Sequence, residues 1–266
     1  MSTFVLNFFF VMILTDTHTH IYLSELRDQI PAMMQRAKEQ RVNRFFLPNI
    51  DINSIADVFS LTEMYPDSCF PMMGLHPCSV KEDYVDVLRN IKEHAQDPRV
   101  VAIGEIGIDL YWDKSTLEIQ KLAFKEQINW AKEMDLPIVI HSRDSFHHII
   151  EILKEEKDEK LKGVFHCFTG SKEQADQAIA LGFYLGIGGV LTYKNAGLPE
   201  VMQHIDINHL VLETDSPYLT PVPHRGKPNE SSYLMYVAQK LAEVKGISLE
   251  DLAEITTENS RKLFGK

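Results

Sequence analysis

The feature that most constrains this chain is a recurrence. Short apolar runs rich in Val, Ile, Leu and Phe return eight times along 266 residues, separated by longer stretches, some with clear helical periodicity. The runs are Val11 to Thr15, Arg44 to Pro48, Phe70 to Gly74, Val100 to Gly104, Pro137 to Ile140, Gly163 to Phe165, Phe183 to Ile187 and His209 to Glu213. Runs this uniformly apolar suit strands buried on both faces, as in a parallel sheet covered by helices. Alternation of the two periodicities marks βα units. Eight units favour closure into a single-domain α/β fold, a (β/α)₈ TIM-type barrel, and the chain length fits one such domain.

The intervening segments agree. Thr116 to Met134 carries Leu117, Ile119, Leu122, Ala123, Ile128, Trp130 and Ala131 as a stripe expected to pack on the sheet. Ser231 to Phe264 reads as two helices, with Ser248 capping the second ahead of Glu250 and Asp251. No linker or second domain interrupts residues 12–266.

The apolar stretch Phe4 to Leu14, broken only by Asn7, invites a secretory-leader reading that fails. No Lys or Arg precedes Arg27, no small-residue cleavage site follows, and the stretch is too short to span a bilayer. Residues 1–11 are expected to be an extension ahead of the barrel or a mis-assigned start, with Met12 a sensible beginning. N-terminal sequencing of the natively expressed protein tests this.

Charge narrows the partners. The formal net charge is −11, from 27 Lys and Arg against 38 Asp and Glu, so no large cationic surface exists to hold long duplex nucleic acid through its phosphates. An anionic substrate must be held locally, and bound cations would supply the local charge. Three cysteines without a CxxC pair suit a reducing, cytoplasmic compartment, and no membrane association is expected.

In such a barrel the active site gathers at the C-terminal strand ends, so the polar residues that end the runs matter most. The first run leads into Asp16-Thr-His18-Thr-His20, the fourth into Gly104-Glu105-Ile-Gly107-Ile-Asp109, the fifth into His141-Ser-Arg143. The sixth leads into His166-Cys-Phe168-Thr-Gly170 and the eighth into Glu213-Thr-Asp215-Ser-Pro217. With strand alternation His18 and His20 leave one face and can converge on one ion. Glu105 follows an apolar strand, where a carboxylate costs several kcal/mol unless paired or metal-bound, and its two oxygens allow it to bridge two ions. His141 and His166 are single strand-end histidines, whose case as ligands rests on the company they keep. Asp215 shares the parity of Val211 and Glu213, so it is expected to face the lumen, either completing a coordination shell or taking a proton from water. The same alternation directs Cys167 to the helix layer as a core thiol.

These five motifs, in this order, resemble the TatD-related deoxyribonucleases, a branch of the metal-dependent amidohydrolase superfamily. The likeness runs from about Met12 to Phe264. It implies that His18, His20 and Asp215 serve one metal, His141 and His166 a second, and that Glu105 bridges them. It also implies that Gly74-Leu-His76-Pro77 and Arg225 lie at the rim of the site; Cys78 stands where relatives commonly carry a second histidine. The implied activity is two-metal hydrolysis of phosphodiesters at DNA ends, single-stranded or short, with Asp215 and Glu105 catalytic. His76, Arg143, Lys172 and Arg225 are candidate phosphate or leaving-group contacts. A His-rich site accepts Zn²⁺, Mn²⁺, Co²⁺ or Ni²⁺, and the carboxylates admit Mg²⁺. The same donor set would also serve amide or ester hydrolysis, including deacylation of aminoacyl-tRNA. A metal-binding scaffold without catalysis is a further alternative, and a lumenal Asp215 argues against it.

Overall fold

The computed structural model describes residues 12–266; the extension expected at residues 1–11 lies outside them. Eight parallel strands form one sheet in sequential order: β1 (Leu14–Asp16), β2 (Val42–Pro48), β3 (Cys69–Met73), β4 (Ala102–Asp109), β5 (Ile138–Arg143), β6 (Gly163–Phe165), β7 (Phe183–Ile187) and β8 (Leu210–Leu212). The sheet curls into a nearly closed TIM barrel. Beyond the last strand, the Thr17 and Asp215 amides donate to the Leu212 and His18 carbonyls at 2.9 Å, and a bridge joins Thr19 to Ser216. Nine helices among the described residues surround it: α1 (Ile30–Glu39), α2 (Ile55–Met64), α3 (Tyr84–Ala95), α4 (Leu117–Met134), α5 (Phe146–Glu155), α6 (Lys172–Ala180), α7 (Leu198–Gln203), α8 (Leu234–Lys245) and α9 (Leu249–Phe264). None is long and apolar enough to cross a membrane.

Two apolar cores result. The larger lies between strands and helices, and the smaller fills the lumen with Phe46, Met72, Ala102, Val139, Val164 and Val211. α9 plugs that lumen from below: the Phe264 ring packs on Phe46 with centroids 4.4 Å apart. The helix is anchored by Asn259, whose amide donates to the Ile207 and Leu210 carbonyls at 2.8 Å. Ser248 caps it as expected, accepting from the Asp251 amide at 3.0 Å. With that helix across its floor, the barrel formed by the described residues opens at the strand C-termini.

All eight strands and both C-terminal helices form in the expected segments; β2 begins two residues early at Val42, β5 runs three residues past Ile140 to Arg143, and two further differences have a visible cause. β4 runs past Gly104 through Glu105 to Asp109, because Gly107 adopts φ +142° and lets the strand hug β5. On α4, Leu122 faces solvent instead of the sheet, while Gln120 and Gln127 are buried with Ala123, Phe124, Ile128, Trp130 and Ala131. Hydropathy alone hides the reason. Gln120 accepts from the Asp109 amide at 2.8 Å and donates to its carbonyl at 3.0 Å; Gln127 accepts from the Leu75 amide at 2.7 Å and donates to the same residue's carbonyl. Two buried amides thus satisfy the backbone where β3 and β4 open into the mouth.

Candidate metal centre

All six residues expected to hold metal converge at the open end of the barrel. Glu105, buried on β4, divides its carboxylate. Oε1 lies 2.8 Å from His141 Nδ1 and 2.8 Å from His166 Nε2, whereas Oε2 lies 3.2 Å from His18 Nε2 and 3.6 Å from His20 Nε2. Asp215 Oδ1 stands 3.5 Å from His20 Nε2 and 3.7 Å from His18 Nε2. His18 and His20 lie beyond the end of β1, and Asp215 beyond β8 at φ +55°, so loop backbone rather than strand alternation aims them. Their Nε2 atoms are 3.3 Å apart.

The donor set fits divalent cations. Three triads each bring their ligand atoms within 4.8 Å of one another: His18, His20 and Glu105; His18, His166 and Asp215; His76, Glu105 and His141. Every donor is an imidazole nitrogen or carboxylate oxygen, the types such ions take. His76, expected at the rim, reaches further in, with Nε2 3.3 Å from both Glu105 Oε1 and His141 Nδ1.

The electrostatics are strongly coupled. Burial would raise the Glu105 carboxyl, but His166, His76 and His18 outweigh it and hold it well below the usual carboxylate range. Asp215 is held low against burial by His20, His166 and His18. In turn Glu105 overcomes burial to keep His166 well above the usual imidazole value, while burial and then His166 push His18 down. Below the site, burial lifts Asp16 to about 7; its oxygens accept from the Thr214 amide and hydroxyl at 2.9 and 2.6 Å, tying the loop after β8 to β1.

Three orienting residues stand behind the expected ligands, two of them, Asp109 and Glu213, inside the motifs. Asp109 Oδ2 lies 2.8 Å from His141 Nε2 and Glu105 Oε1 lies 2.8 Å from its Nδ1; a cation that takes the place of the proton on Nδ1 would leave Nε2–H donating to Asp109, which fixes the ring. Burial opposes the Asp109 charge, yet His141 brings it down to about 2. The Tyr22 hydroxyl donates to the Pro48 carbonyl and therefore accepts from His20 Nδ1 at 2.9 Å, which leaves His20 Nε2 free to ligate. Glu213 accepts from the Cys167 amide at 2.5 Å and faces His166 Nδ1 at 3.6 Å. Even spacing from a candidate ligand is the signal they share: Asp109 from Glu105, Tyr22 from His20, Glu213 from Asp215.

A cleft of about 680 Å³ opens over this cluster, lined by His76, Arg143, Trp112, Tyr218 and Cys167 among others. Cys167 thus departs from expectation: β6 ends at Phe165, and φ +46° at Cys167 swings its side chain into the cleft rather than the helix layer. Burial, then Glu213 and Asp215, push its thiol well above the ordinary range. Lys172 begins α6, pairs with Asp176 at 2.6 Å and does not line the cleft. Arg225 stacks on the Tyr193 ring at 4.0 Å, beside the lining rather than in it.

The model of the TatD related DNase family matches residues 15–265. The chain belongs to that family. As a TatD family member it is a metal-dependent hydrolase, and its relatives agree in length as well as sequence. The uncharacterized metal-dependent hydrolase YabD of Bacillus subtilis is 43% identical over 252 residues, covering 94% of this chain and 98% of that one. The 3'-5' ssDNA/RNA exonuclease TatD of Pectobacterium parmentieri is 31% identical over 255 residues, 94% and 98% of the two chains. Among solved structures, the TatD homologue YJJV of Escherichia coli K12 superposes with a TM-score of 0.90 at 29% identity, covering 95% of this chain and 98% of that one.

Proposed function

We propose that this TatD family hydrolase is a two-metal phosphodiesterase that removes nucleotides from DNA ends, preferring single strands. The observation that carries the reading is the division of Glu105, with one oxygen toward His18 and His20 and the other toward His141 and His166. A carboxylate so shared suits a pair of cations, with Asp215 completing the His18 and His20 side. Two divalent ions bound there would lower the pKa of water and polarise a phosphoryl oxygen.

The chain's own groups supply the remainder. Asp215, held anionic, accepts the proton of the attacking water as its oxygen bonds to phosphorus, and the phosphorus bond to the leaving oxygen breaks. Arg143 and His76 line the cleft and offer N–H donors to phosphate oxygens. Asp109 and Tyr22 fix the rings of His141 and His20 in their ligating tautomers. The name of the Pectobacterium relative adds support for an exonuclease acting on single strands.

Incubation with 3′-labelled and 5′-labelled single strands under Mg²⁺, Mn²⁺ and chelator tests the proposal. Stepwise, chelator-sensitive release of mononucleotides is expected. Intact strands, together with chelator-sensitive hydrolysis of an ester, an amide or an aminoacyl-tRNA, would move the assignment to carbonyl chemistry.

A further inference from the structure

We infer that Trp112 and Tyr218 are base-stacking platforms that select unpaired nucleotides at the end of a single strand. The inference rests on the nuclease reading above. Among the described residues only three aromatic side chains are exposed: Tyr111 at 54%, Trp112 at 73% and Tyr218 at 52%. Rings left in water are ordinary when scattered, but these gather at one place. Trp112 and Tyr218 line the cleft that contains Glu105 and Asp215, and Tyr111 meets Trp112 edge-on with centroids 5.0 Å apart.

Their placement in the ring adds the second argument. Trp112 follows β4 and Tyr218 follows β8, which lie opposite one another in an eight-stranded barrel. The two rings therefore flank the metal-ligand cluster from facing walls. On the Trp112 side the Arg143 guanidinium stacks over Tyr111 at 3.8 Å and also lines the cleft, placing a phosphate donor beside the aromatic platform.

With a net charge of −11, the protein cannot gain much affinity from a run of phosphates. Stacking supplies affinity that does not depend on them, tolerates any base, and is open only to bases freed from a duplex. The occupant is thus a nucleotide on either side of the scissile phosphate, its base against Trp112 or Tyr218. Discrimination against duplex follows from the geometry of the mouth, without any base-edge contact.

The protein carries two tryptophans, and Trp130 is buried, so quenching of tryptophan emission by a ligand reports on Trp112. The metal-loaded protein is titrated with a pentathymidylate joined by phosphorothioates, which slow turnover, and with the matching abasic strand. The thymidylate is expected to quench emission saturably, and the abasic strand to bind at least about tenfold more weakly. By anisotropy of a labelled strand, Trp112→Ala and Tyr218→Ala should each lose about 5- to 100-fold in affinity, with Trp112→Phe within about threefold of wild type. In turnover the loss should fall on KM rather than kcat, and thermal melting checks that the variants fold.

Equal binding of normal and abasic strands, or unchanged affinity in both alanine variants, overturns the inference; chelator-sensitive cleavage of strands by wild type would leave the nuclease reading intact. A wild type that cleaves no strand sinks the nuclease reading instead, and the quenching titration still decides whether bases stack.

Discussion

Glu105 is the residue on which the site turns. A fully buried carboxylate is expensive unless compensated, and here five imidazoles from His18, His20, His76, His141 and His166 surround it. Such a cluster makes sense as a cradle for cations, since neutral imidazoles and carboxylates are the ligating forms. In the proposed reaction Asp215 takes a proton besides completing the His18 and His20 side, so Asp215→Asn, whose carbonyl oxygen can still ligate, should keep most of the bound metal while turnover falls about a hundredfold to ten-thousandfold; metal analysis beside a rate assay separates the two. Equal loss of metal and activity would make Asp215 merely a ligand. In Asp109→Asn the oxygen that accepts from the Tyr111 amide at 2.9 Å is retained and the NH2 group takes the place of Oδ2 before His141 Nε2, a donor where an acceptor stood, so metal affinity or activity should fall about 10- to 100-fold, read by titration with Mn²⁺.

At the scale of elements, the site depends on strands that approach unusually closely. A Cβ on Gly107 would sit 2.1 Å from the His141 carbonyl oxygen, and the residue has φ +142°, so Gly107→Ala must push β4 off β5 and with it Glu105 off His141. The expected loss exceeds about 4 kcal/mol, or soluble protein is not obtained. Gly182, at φ +91° with nothing within 4 Å of a built Cβ, is the control: alanine there should cost only roughly 1–2 kcal/mol of backbone strain. Denaturant melts of both variants measure the contrast, and equal effects would refute it. Strand existence was legible because each run has an apolar centre, and the candidate ligands because they stand where those runs end. What escaped is what periodicity cannot encode. Cys167 and Asp215 take positive φ past the last strand residue, so parity said nothing valid about Cys167 and was right about Asp215 by another route. Gln120 and Gln127 look like surface residues until the backbone ends they clamp are placed beside them. Lys172 belongs to the first turn of α6 and is drawn to Asp176, one turn along the same helix.

For the whole molecule, the barrel is a vessel closed at one end by Phe264 and lined at the other with ligand atoms. The candidate ligands lie on β4 and β5 and in the segments that follow β1, β6 and β8, so a cation bound there would tie most of the ring together. Metal should therefore stabilise the entire fold by mass action, roughly 2.7 kcal/mol when free ion is a hundredfold above Kd. Chelator-treated protein should melt lower and recover with Mn²⁺ in a concentration-dependent way, whereas a melt indifferent to metal would mean that the cluster does not bind ions in the folded state. The most direct measurement is anomalous diffraction from crystals soaked in Mn²⁺. Two peaks should appear, both within coordination distance of the Glu105 carboxylate, one also reaching His18 and His20 and the other His141 and His166. A cleft without peaks, or ions bound away from Glu105, would contradict the account.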